Sequence, residues 1–98
     1  MVSAADILSQ AADTYRERNQ LYGNNYKRFG EVMKQLLPDG LHIDDADDYN
    51  RLGILIQIVA KLTRYGQNFK TGHLDSIHDI IVYAAMLEEL DREKLERS

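Results

Sequence analysis

Between Ile7 and Leu90 the apolar side chains recur every three or four positions, the spacing of one face of an α-helix. The repeat lapses at Tyr22-Gly23-Asn24-Asn25, at Pro38-Asp39-Gly40 and along the polar run from Gln67 to Gly72, all rich in turn formers. Between Leu52 and Leu62 the β-branched Ile and Val residues would suit a strand. That stretch is too long for one and lacks turn residues at both ends. The chain therefore reads as all-α: residues 1–98 form a single domain, a bundle of about four helices.

The first helix is expected over about Ala4 to Leu21, opened by Ser3 with Asp6 three residues on as an N-cap pair. Gly23 supplies a left-handed residue past its end, and Asn24-Asn25 cap the second helix. Tyr26, Phe29, Val32, Met33, Leu36 and Leu37 form the apolar face of that helix, which has to stop before Pro38. Asp44, Asp45, Asp47 and Asp48 suit the amide end of a third helix, about Ala46 to Tyr65, with Gly66 as its C-cap. The middle of this helix is apolar on nearly every side, which marks a central or interface helix. A fourth helix spans about His73 to Arg92, with Ile77, Ile80, Ile81, Ala84, Leu87 and Leu90 inward and a charged tail that frays.

A chain of 98 residues has room for one modest core, so association of copies through an apolar helix face is expected to supplement it. The net charge of −4, with no basic block beyond pairs such as Lys27-Arg28, argues against nucleic acid and anionic membrane as partners. Cysteine is absent, which removes disulfides, thiol nucleophiles and Cys-based zinc sites. Met1 to Gln10 is amphipathic and acidic, unlike a signal peptide, and Ile54 to Leu62 is too short to cross a bilayer. A cytoplasmic protein is expected.

Two charges stand where apolar residues belong. Lys61 lies within Ile58-Val59-Ala60-Lys61-Leu62, and Asp79 within Ile77-His78-Asp79-Ile80-Ile81. A buried charge must be paired or bound to something. Asp75, Asp79 and Tyr83 form one stripe of the fourth helix, and Lys61 and Arg64 share a face of the third. If the two helices are antiparallel neighbours, these stripes meet. One outcome is a structural ion-pair network, Lys61 to Asp79 and Arg64 to Asp75. The other is a site in which Asp75 and Asp79 hold Mg²⁺ while Lys61 and Arg64 take the phosphate oxygens of a nucleotide. Tyr22 and Tyr65, each just before a glycine that ends a helix, are placed to stack on a base. The histidines at 42, 73 and 78 lack metal-ligand spacing, and the acids at 44–48 lack the glycine and distal glutamate of a calcium loop.

Three segments together carry a resemblance. They are Arg18-Asn19-Gln20-Leu21-Tyr22-Gly23 with Phe29, Lys61-Leu62-Thr63-Arg64, and Asp75-Ser76-Ile77-His78-Asp79 running on to Tyr83-Ala84. In order and spacing they resemble a family of small phage and prophage proteins of unknown function. They are also similar to the phage nucleotide-modification-associated domain and, more remotely, to the all-α MazG-like nucleoside triphosphate pyrophosphohydrolases. The resemblance implies a MazG-like helical domain in the host cell cytoplasm. It also implies a nucleotide ligand and Mg²⁺ held by acidic residues on two helices. Asp75 and Asp79 match the second acidic helix. The Glu-x-x-Glu of the first has no counterpart, since the second helix offers Glu31 followed by Lys34. Three functions are compatible with these residues: nucleotide hydrolysis, sequestering of a nucleotide or nucleotide defence signal without cleavage, or a structural helical oligomer with no ligand.

Overall fold

Capping and turn chemistry divide the chain into α1 (Ala4–Tyr22), α2 (Asn25–Leu36), α3 (Ala46–Gln67) and α4 (Leu74–Arg97). The computed structural model describes residues 1–97, apart from the side chains of Leu21, Tyr22 and Asn25, and contains no strand among them. At the start of α1 the Asp6 N–H donates to Ser3 Oγ at 3.2 Å and the Ser3 N–H donates back to Asp6 Oδ2 at 3.0 Å. These bonds, the one from the Ser3 backbone foremost, hold the Asp6 carboxyl below its ordinary pKa. Gly23 ends α1 with φ 61° and ψ −147°, a region open to glycine alone. A Cβ there would also sit 2.8 Å from Gln67 Nε2.

Three boundaries differ from the expectation. Asn24 precedes α2 without a side-chain cap; its backbone carbonyl instead accepts from Lys27 N–H at 2.9 Å. Gly66 stays helical, and α3 runs on to Gln67, because Asn68 closes it: Asn68 Nδ2 donates to the Arg64 carbonyl at 3.0 Å. The positive φ falls on Gly72 instead. Finally, α4 continues to Arg97, its last turn held to the start of α3 by Arg97–Asp47 at 3.4 Å and Lys94–Asp48 at 3.7 Å.

These contacts, with Arg51–Asp91 at 2.8 Å, make α3 and α4 antiparallel and the most closely packed pair, with α2 on α3. The Asp91 bond raises the pKa of the Arg51 guanidinium further above its ordinary value. As expected, α3 is central. It carries Val59 and Thr63, and α4 supplies Ser76; these are the buried residues among those described. The inward face assigned to α4 is narrower than expected: Ile77, Ile81 and Ala84 are exposed, because one neighbouring helix cannot cover so wide an apolar arc. Helix α1 packs closely along neither α3 nor α4, and the radius of gyration is 17.2 Å where about 13 Å is usual for this length. Among the described residues no helix is long and apolar enough to cross a membrane.

Candidate functional site

Where α1 leaves the bundle, it stands away from α3 and a cavity of about 590 Å³ opens between α1, α2 and α3. The size suits a small-molecule site, which usually spans about 300–1,000 Å³. Helix α1 contributes Tyr15, Arg18 and Asn19, α2 contributes Tyr26 and Phe29, and α3 contributes Thr63 and Arg64. Gly23 lies at the corner, where its conformation turns α2 back toward α3.

The two tyrosines of the wall, each about half exposed, are in contact with one another. Tyr15 and Tyr26 meet edge to face with ring centroids 6.4 Å apart, and their hydroxyls are 3.3 Å apart, within hydrogen-bond reach. That bond, with the mutual repulsion of two phenolates behind it, raises the Tyr15 pKa above 10.0. Lys27 Nζ lies 5.8 Å from the Tyr26 ring, a cation beside the same wall. Asn19 Oδ1 is buried in the wall with no hydrogen-bond partner among the described residues.

The electrostatics run against the rest of the molecule. The chain as a whole is acidic, yet the described residues lining this cavity include two guanidiniums, Arg18 and Arg64, and no carboxylate. Such a cavity favours an anion with an apolar or aromatic portion.

The residues singled out from the sequence are only partly gathered here. Arg64 lines the cavity. Lys61, one helical turn away, faces α4, where its Nζ lies 3.1 Å from Asp79 Oδ2. Asp75 is exposed one turn earlier on α4. Tyr65 packs edge to face on Phe69, with centroids 6.3 Å apart, and is not among the described lining residues. The Tyr22 side chain lies outside the described residues. Tyr15 and Tyr26 are cavity tyrosines that the sequence does not single out, since at helical spacing they look like core. Arg18, Gly23 and Phe29 stand in the segments that carry the resemblance, which is the signal the sequence offers for them.

A separate acidic group, Asp45, Asp47 and Asp48, brings carboxylate oxygens within 4.8 Å of one another at the start of α3. Arg51, Lys94 and Arg97 already surround it, and Asp45 caps the helix by accepting from Asp48 N–H at 2.9 Å. It is a helix-start cluster joined to the end of α4. His73 Nδ1 lies 2.6 Å from Ser76 Oγ, at the start of α4.

Against known protein families, curated proteins and solved structures, the chain finds no match. Its function has to be read from the chemistry of the cavity.

Proposed function

We propose that this chain binds a phosphate-bearing nucleotide in the cavity between α1, α2 and α3. One observation carries the proposal: in an acidic chain, two guanidiniums and three aromatic rings line a cavity whose described walls hold no carboxylate. Guanidiniums match phosphate oxygens in charge and in fork geometry. Tyr15, Tyr26 and Phe29 offer apolar ring surface for a base.

Binding without cleavage is the form of this function that the cavity favours, because the described walls hold no carboxylate to activate a water. Asp75 and Asp79, the carboxylates expected to hold Mg²⁺, lie on α4, which contributes no described residue to the cavity wall, so the reading stands on the guanidiniums and rings without a metal. Asp79 Oδ2 already accepts from Lys61, so a metal there competes with the ammonium. Sequestering of a nucleotide or nucleotide signal, as in a phage protein, is the biological role of this reading.

A second reading is favoured by the Lys61–Asp79 contact itself: the pair fixes α3 against α4 and the molecule takes no ligand. Calorimetric titration of the full chain with a nucleotide panel, with and without Mg²⁺, separates the two. Binding that weakens tenfold or more in Arg64→Ala and Arg18→Ala, with the nucleotide recovered intact, is the expected result. Absence of heat at millimolar ligand in either condition leaves the structural reading.

A further inference from the structure

Helix α4 is apolar on two sides. Ser76, Tyr83, Leu87 and Leu90 share the side that packs on α3, while Leu74, Ile77, Ile81 and Val82 lie on the opposite side and are exposed. Ile81, in mid-helix, is 62% exposed. Ile7 and Leu8 are likewise exposed at the start of α1. An apolar strip that the chain's own helices leave uncovered is a candidate for burial in an assembly.

The areas agree. The chain exposes 7749 Å², whereas a folded monomer of 11.3 kDa exposes about 5,700 Å². The surplus, about 2,000 Å² per chain, is what each partner gives up in an obligate homodimer, where roughly 2,000–5,000 Å² is buried in total. Val59 is the one fully buried apolar side chain among the described residues, so the shortfall lies in the core itself. A core that small does not offset the conformational entropy of ordering four helices.

We propose that a second copy of this chain covers the outer face of α4 and the exposed apolar residues at the start of α1, in a two-fold dimer. The missing cover has to be present whenever the chain folds, and another copy always is. A lipid surface fits worse, because Glu88, Glu89 and Glu93 outnumber Arg92, which pairs with Glu88, along the α4 face, where a membrane-bound helix carries an excess of lysine and arginine. The dimer requires no ligand.

Light scattering coupled to size-exclusion chromatography on the full chain tests it, together with thermal unfolding over a hundredfold range of protein concentration. The expected mass is twice 11.3 kDa, or an even multiple of it, with a midpoint that rises with concentration. Ile81→Glu should return a single-chain mass or lose helicity; on a truly free surface this exposed position would tolerate glutamate. A helical monomer with a concentration-independent midpoint overturns the proposal, as does an Ile81→Glu protein that keeps both the wild-type mass and the wild-type midpoint. A monomer that gains mass only on added vesicles overturns it in favour of a lipid surface.

Discussion

Asp79→Asn removes the carboxylate that accepts from Lys61 Nζ at 3.1 Å, and the two partners are unequally placed: the Lys61 side chain is 17% exposed and that of Asp79 43%. Removing one member of a fully buried pair costs about 3–5 kcal/mol. An exposed pair contributes about 0–1 kcal/mol. After Asp79→Asn the ammonium is left mostly withdrawn from water, so the loss falls between these limits, at about 2 kcal/mol. Lys61→Met acts differently. It keeps the aliphatic stem packed against α4 and leaves a carboxylate that water reaches, at a cost of about 0.5–1 kcal/mol. The double variant should lose less than the sum of the two, with a coupling of about 1 kcal/mol. Urea unfolding followed by far-ultraviolet circular dichroism, at one fixed protein concentration, measures all four proteins. Equal losses below about 0.5 kcal/mol with no coupling would mean that Lys61 reaches water and that the pair does not join α3 to α4.

Two further outcomes are expected. Gly23→Ala forces a side chain into a glycine-only backbone region and against Gln67, at a cost of about 1–3 kcal/mol; Gln67→Ala should relieve the contact but not the backbone strain, which urea unfolding of the double variant resolves. The Tyr15 phenol, its pKa raised by the bond to Tyr26, contributes stability that is present below pH 10.0 and is lost as pH rises through the higher folded value; Tyr26→Phe should return Tyr15 to its ordinary titration, read by phenolate absorbance.

Much of the fold is legible in the sequence because it is local. Four apolar repeats predict four helices, and Ser3 with Asp6 predicts the N-cap that forms. Gly23 is legible as a left-handed turn for the same reason. The end of α3 is not: Gly66 has the composition of a C-cap, but a side-chain bond from Asn68 to the Arg64 carbonyl keeps the helix going past it. Nor is the length of α4, whose charged tail has the composition of a fraying end and is held by Asp47 and Asp48, nearly fifty residues earlier.

The candidate site is legible in proportion to how far each residue's meaning is local. Lys61 and Asp79 each break an apolar run, and a charge in such a place needs a partner, so their meeting follows from the antiparallel pairing of α3 and α4. The sequence does not say what else joins them. Tyr15, Arg18, Tyr26 and Phe29 break no local rule, so apart from the motif segments that hold Arg18 and Phe29 nothing local reveals that they line one cavity with Arg64. The same degeneracy explains Ile77 and Ile81. An apolar residue at helical spacing is written identically whether it faces its own core or another molecule, and both read as inward although α3 covers neither. The width of the apolar arc separates the two cases: one neighbouring helix covers roughly a third of a helix surface. On α4 the apolar residues extend well beyond that arc, and the excess is the surface that the proposed dimer would bury.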